Sequence, residues 1–248
     1  MLADPLLSQL GRRLFTLDSG LGLYRLVHLH DALTNAANRG RLRSILSVGS
    51  GGGIHEAVLA RLFPQVEVVG VDLREPYVDV KLDNLRFVRG DLTDASFAKQ
   101  LPFADFVFSI ECLEHISDDR EVFSAMSRRV TPGGMLYVEV PFASDEDLRN
   151  ETLIKEQMVL HEHVRPGYSA EGLRASFEWN DVSVEEIAGT FWFPMQPLVW
   201  FAMERFGEES LLEHWPEFLE LATSDVRKGV QAHRGQATGI KALGVRRG

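Results

Sequence analysis

The 248-residue chain suits one large domain, and its 45% hydrophobic and 25% charged residues are the ordinary mix of a folding globular sequence, which excludes wholesale disorder. Its 26 basic and 36 acidic side chains leave a net charge of −10, a balance that argues against a protein holding nucleic acid by neutralising phosphates. Cys112 is the only cysteine, so an intrachain disulfide and a cysteine-rich zinc site are excluded, and no apolar run reaches the ~18 residues of a spanning helix.

The opening Met1-Leu2-Ala3-Asp4-Pro5 lacks a basic region followed by an apolar core, so a cytoplasmic location is expected. Residues 5 to 38 are predicted as two helices hinged at Asp18-Ser19-Gly20. The second carries Leu23, Leu26, Val27, Leu29 and Leu33 on one stripe, with His28 and His30 on a partly exposed face. Ser44–Val48 is a short apolar strand, followed by glycines and a helix with Ile54, Val58 and Leu62 on one side, stopped at Pro64. Val66–Asp72 is a β-branched run of the kind buried in parallel sheets. Leu85–Val88 and Ala104–Ile110 are further strands, with a short helix or turn at Asp94–Gln100 between them. A helix is predicted over Asp118–Val130, with Asp118 near its cap; Thr131-Pro132-Gly133-Gly134 ends it, and Met135–Pro141 is the next strand. This alternation implies βαβ units and a mainly parallel sheet. Beyond it come a polar loop and helix at 144–166, a helix at Ser169–Trp179 and a strand at Val182–Ile187. An aromatic-rich insertion then runs from Phe191 to about Gly229, before a last strand at Gly239–Val245 that reads as antiparallel.

The strongest chemical signal is Gly49-Ser50-Gly51-Gly52-Gly53, between a strand and a helix, where glycine lets the main chain approach a ligand and the helix start offers amide donors. Asp72 closes the next strand at the spacing expected of a carboxylate that binds a ribose hydroxyl pair. The third glycine of the dinucleotide fingerprint is replaced by Ile54, and no Gly-Lys-Ser/Thr triplet of an NTPase loop follows.

These features resemble the class I S-adenosylmethionine-dependent methyltransferases, in the branch that acts on small molecules and lipids, over roughly residues 44 to 142. The resemblance implies a Rossmann-like, doubly wound α/β fold: a mostly parallel seven-stranded sheet with an antiparallel last strand, N-terminal helices and a late helical insertion. It implies one domain in five parts: an N-terminal helical lid (1–43), a cofactor-binding core (44–142), a substrate-side loop, helix and strand (143–190), the insertion (191–229) and the last strand (230–248). S-adenosylmethionine is the implied cofactor. Its methionyl part would lie on Gly49, Ser50, Gly51 and Gly53, its ribose on Asp72 beside Leu73, and its adenine against Asp91 and Leu92 of Gly90-Asp91-Leu92. Ser109 and Ile110, in the fourth-strand segment Asp105–Ile116, would lie beside the sulfonium. Thr131–Leu136 matches the turn into the fifth strand. Ser47 stands where the family often has an acid, and Glu111 is a substitute for it.

Methyl transfer from a sulfonium is an in-line displacement that depends on holding nucleophile, carbon and sulfur in line in a dry pocket, and a protonated oxygen or nitrogen nucleophile benefits from a general base. His163 and Glu162, in His161–Ser169, are the candidates; the bland alternative is that they tie down a loop. A metal on His161 and His163 is set aside for want of a further ligand close by, so no metal is expected. His115 is read as structural and Cys112 as a small buried hydrophobe. Phe191–Met203 is a pocket wall, a packed helix or a homodimer interface. The expected partner is a small organic or lipid-like methyl acceptor taking the group on oxygen, nitrogen or carbon, with no nucleic acid and no membrane span. The missing Asn/Asp-Pro-Pro-Tyr/Phe segment after the fourth strand speaks against base methylation. The alternatives are a non-catalytic nucleoside-binding regulatory module and a nicotinamide-dependent oxidoreductase.

Overall fold

Strands that bury both faces cannot alternate polar and apolar residues, and the runs SILSV, EVVGVD and ADFVFSI do not. The computed structural model describes residues 4–17, 21–40, 42–192 and 237–248, with Arg205, Glu220 and Thr223. The expected hinge at Asp18-Ser19-Gly20 and the insertion from Phe193 to Gly229, those three residues apart, lie outside the described residues.

Helices α1 (Pro5–Leu17) and α2 (Leu21–Asn38) precede β1 (Ser44–Val48), α3 (Ile54–Leu62), β2 (Glu67–Asp72), β3 (Leu85–Arg89), the short α4 (Ala95–Ala98) and β4 (Ala104–Ile110). A 3₁₀ turn at Leu113–His115 leads to α5 (Asp119–Arg129), β5 (Val130–Pro141), α6 (Glu151–His161), α7 (Ala170–Glu178), β6 (Val182–Trp192) and β7 (Ala237–Arg246). The seven strands form one sheet in the order β3-β2-β1-β4-β5-β7-β6. The first five run parallel, and β7 lies antiparallel between β5 and β6.

Because side chains alternate along a strand, each strand feeds two cores. Ile45, Phe106, Phe108 and Tyr137 face a cluster with Leu23, Leu26, Leu29 and Leu33 of α2 and Val58 of α3. Leu46, Val107, Leu136 and Val138 face the other, with Val122, Phe123 and Met126 of α5 and Leu173 and Phe177 of α7. The packing of α2 also corrects the reading of His28: the residue is 2% exposed, its ring tilted against Tyr24 at 4.7 Å between centres, and burial pushes its pKa down to about 3.

Two element boundaries differ from expectation. β5 starts at Val130 rather than Met135, because Ala104 pairs with Val130 before the register shifts and Phe106 pairs with Met135. Residues 131–134 bulge out there, with Gly133 at φ 75° and the Thr131 hydroxyl donating to Asp105 Oδ1 at 3.1 Å. β6 extends to Trp192 because β7 pairs along its whole length. Asp118 does occupy the cap position of α5, but its side chain makes no capping hydrogen bond.

The sheet order reverses between β1 and β4, so the chain leaves their C-terminal ends in opposite directions and a crevice opens there. Phe177 pins the opposite layer, edge-on to Phe123 at 5.2 Å between ring centres and fully buried. Phe177→Ala should lower unfolding stability by about 3–5 kcal/mol in a urea titration; a loss under ~1 kcal/mol would show that α7 lies outside the cooperative core.

Candidate functional site

The glycine turn is fixed by what its neighbours leave no room for. Gly49 has φ 77° and a Cβ there would overlap Cys112 Sγ, so the turn after β1 can press directly against the segment after β4. Gly53, at φ 80°, starts α3, and a Cβ would come within 2.6 Å of the Phe87 ring. The amides of Gly49 and Ser50 donate to the Val71 carbonyl at 2.9 and 3.0 Å, which locks the turn to the end of β2. Asp72 completes the lock: Oδ2 accepts from the Gly51 amide at 2.8 Å and Oδ1 from the Arg74 amide at 2.9 Å.

Under the turn lies an acid that the sequence pattern did not single out. Ser47 donates its hydroxyl to Glu56 Oε1 at 2.5 Å, and both side chains are buried. Burial pushes the Glu56 carboxyl up to about 7, and the nearby Asp72 charge adds to that while the Ser47 hydrogen bond opposes it. An acid in the first turn of a helix, on the same side as buried Ala57 and Ala60, was the available signal. It brings a carboxyl to Ser47, where the family pattern has an acid on the strand itself.

A cavity of about 430 Å³ opens over the turn at the sheet's reversal point. Its wall includes Gly49, Gly51, Asp72, Leu73, Asp91, Leu92 and Glu162 from the residues singled out by sequence. Ser47, Ser50, Gly53, Ser109, Ile110 and His163 are not among its lining residues. Ser109 is buried at the end of β4, and Ile110 packs against the α2-side core. Asp91 uses Oδ1 to accept from the Thr93 amide at 2.8 Å and hydroxyl at 2.6 Å. Leu73 is 61% exposed, an apolar surface open to whatever fills the cavity.

The rest of the wall comes from Gly90 and Glu111, which the resemblance puts in the adenine segment and as the substitute acid, and from Arg74, Thr93, Cys112, His115 and Ile116, which sequence reasoning left out or gave other roles. Glu111, at φ 48°, pairs with Arg25 of α2 at 2.8 Å. The Cys112 thiol is pushed up to about 12, first by burial and then by the charge of Glu114, so it stays protonated and inert. His115, read as structural, faces the cavity with its Nδ1 3.3 Å from the Glu162 carbonyl.

The segment after α6 is clamped to the segment after β4. The Val164 amide donates to the Glu114 carbonyl at 2.8 Å, and Arg165 donates to the Ile116 carbonyl at 2.6 Å while pairing with Asp119. The Tyr168 hydroxyl donates to the same Asp119 carboxylate at 2.8 Å. This brings His163 to 4.7 Å from His115 and 5.3 Å from His161, ring centre to ring centre. Burial and those two neighbours push the His163 pKa down to about 4. Glu114 is fully buried, and its carboxyl is pushed well above the usual range by burial and the Glu111 charge.

A family model described as a methyltransferase domain matches residues 22–187. An uncharacterized methyltransferase from Mycobacterium bovis is 36% identical over 114 residues, covering 44% of this chain and 56% of that protein. A trans-aconitate 2-methyltransferase from Deinococcus radiodurans is 30% identical over 105 residues, covering 41% of this chain and 39% of its own length. The chain thus spans about half the length of the curated relatives it matches. Among solved structures, phosphoethanolamine N-methyltransferase 2 from Haemonchus contortus in complex with S-adenosyl-L-methionine superposes with a TM-score of 0.57 at 19% identity, covering 84% of this chain and 49% of that one.

The buried acid has a consequence for stability. Its folded pKa of about 7 lies above the ordinary 4.5, so the folded state holds a proton that the unfolded state has released, and stability falls as pH rises from 4.5 to 7. Glu56→Gln should remove that part of the slope, roughly 2–3 kcal/mol between pH 4.5 and 7.5, in urea titrations at several pH values. A slope identical to wild type would show that Glu56 is ionised in the fold.

Proposed function

We propose methyl transfer from S-adenosylmethionine to a small-molecule acceptor, from the premise that the chain belongs to the methyltransferase-domain family. The observation that carries it is the shared cavity, which gathers the glycine turn, the Asp72 and Asp91 carboxylates and the Glu111–Ile116 segment at the reversal of strand order. Its volume of about 430 Å³ lies within the range of small-ligand sites.

The residues present fit such a cofactor. Each Asp72 oxygen accepts one backbone amide and keeps a second lone pair, so the carboxylate can take two ribose hydroxyls without releasing the turn. Asp91 commits Oδ1 to Thr93 and has Oδ2 for an adenine amino group, while Leu73 and Leu92 offer apolar surface to the ring. The methionyl end would lie along Gly49–Gly51, over Ser47 and Glu56, with Ser50 and Gly53 shaping the turn from behind. Ser109 and Ile110 then act as the floor that places Glu111 and Cys112 on the wall. When bound, the cofactor supplies a methyl group on positively charged sulfur, ready for displacement.

This chain's own groups orient the acceptor and take its proton. Glu162 and His115 face the cavity, and His163 stands behind His115 as a neutral imidazole at neutral pH. The chain's acidic balance supports a small organic or lipid-like acceptor over nucleic acid. The acceptor atom is oxygen, nitrogen or carbon.

Calorimetry with S-adenosylmethionine and S-adenosylhomocysteine should give one site for each, and Asp72→Ala should weaken both by about 1–3 kcal/mol through lost ribose hydrogen bonds. Binding of neither ligand overturns the proposal, saturable binding of a nicotinamide dinucleotide in their place favours an oxidoreductase, and unchanged affinity in Asp72→Ala removes that residue from the ribose site.

A further inference from the structure

The fold brings His163 to the adjacent pair Glu114 and His115, so that three metal-ligating side chains from two segments distant in sequence meet. One ligand atom from each of Glu114, His115 and His163 lies within 4.8 Å of the others. Sequence spacing offered only His161 and His163 with no further ligand nearby; the missing partners come from the 3₁₀ turn at Leu113–His115, clamped onto residues 162–165 by the Val164 amide and Arg165.

The state of each group fits a cation. Glu114 is 0% exposed, and neither of its carboxylate oxygens has a hydrogen-bond partner among the described residues. Its closest approach to a basic group is 3.8 Å, from Oε1 to His115 Nε2. The two guanidinium groups whose charge reaches Glu114 are committed elsewhere, Arg25 to Glu111 and Arg165 to Asp119. His115 Nδ1 lies 3.3 Å from the Glu162 carbonyl, which can only accept, so that nitrogen carries the proton and Nε2 presents a lone pair on the Glu114 side. His163 Nδ1 is buried without a partner as well. A carboxyl and an imidazole nitrogen left unpaired side by side in a buried site are costly unless something is shared between them.

We propose that Glu114, His115 and His163 bind a zinc-class divalent cation at the wall of the cavity, through one carboxylate oxygen and two imidazole nitrogens. Two histidines and one carboxylate are a common zinc set, and three protein ligands leave a coordination position open, as in catalytic rather than structural sites. Since His115 lines the cavity, that open position would take an oxygen or nitrogen of the acceptor. This last step rests on the methyl-transfer reading; the cation site itself does not.

The full chain, stripped with EDTA and dialysed, is titrated with zinc chloride by calorimetry in buffer free of S-adenosylmethionine, and separately loaded with cobalt(II) for visible absorption. One ion per chain is expected, with Glu114→Gln and His163→Ala each weakening zinc binding at least about tenfold and abolishing the cobalt d–d bands, while His161→Ala binds as wild type. A stripped chain that takes up no zinc, or that binds it equally well in both variants, overturns the proposal. Should circular dichroism show that Glu114→Gln fails to fold, His163→Ala decides alone, because that side chain is only half-buried. Zinc binding without S-adenosylmethionine binding leaves the cation site standing and removes the methyl-transfer reading.

Discussion

One carboxylate holds the cavity end of the sheet together. Asp72 accepts from the Gly51 amide on one oxygen and from the Arg74 amide on the other, so the turn after β1 and the loop after β2 are fastened to the same group. The turn is also held from below by the Val71 carbonyl and from the side by contact with Cys112. The cavity's shape follows from these constraints. A turn free to move would not present its amides and the carboxylate to one ligand, and the preorganised arrangement lowers the ordering cost that binding must overcome.

The same end of the molecule concentrates buried acids. Glu56 and Glu139 are each pushed up to about 7 by burial, and Glu114 is pushed up well beyond its usual range. Each has a different local remedy. Glu56 accepts from Ser47, and Glu139 accepts from the Tyr137 hydroxyl at 2.6 Å. Glu114 alone of the three has no hydrogen bond to its carboxyl among the described residues, although it adjoins two imidazoles. Burying a carboxyl with a hydroxyl partner is a common structural solution, whereas burying one with none beside two ring nitrogens is the arrangement from which the cation site is proposed.

The sheet was legible in the sequence because its central strands are uniformly apolar and separated by helices with clear stripes, two signals that agree. The element ends were less so: the 131–134 bulge is created by pairing between Ala104 and Val130, a long-range contact that no local pattern announces. His28 was misread for a related reason. The α2 stripe of leucines is real, but the helix also packs through its Tyr24–His28 side, and burial of a neutral imidazole leaves no mark in a single sequence. At the site, glycines and strand-end acids could be located because backbone geometry restricts which residues fit there. The rim was legible only in part: Glu111 and Glu162 stand out as acids, whereas Cys112 and His115 face the cavity only because the chain turns after β4, and residues 162–165 reach them across a gap of about fifty residues clamped by the Val164 amide and Arg165.

That rim is also where the backbone is least relaxed. Three described non-glycine residues have positive φ, and two of them, Glu111 at 48° and Glu162 at 57°, are on the cavity wall. Such conformations cost of order 1–3 kcal/mol each and persist only when the surroundings dictate them. Here they do. The Glu111 amide donates to the Glu139 carbonyl at 2.9 Å while its side chain is held by Arg25, and Glu162 lies between the His115 contact to its own carbonyl and the Val164 amide on Glu114. Both strained residues therefore belong to the two segments that face each other across the same opening, one from the end of β4 and one from the end of α6. Holding them strained keeps His115 and the Glu162 side chain on the wall, which ties the position of the polar groups at the cavity to the stability of the sheet beneath it.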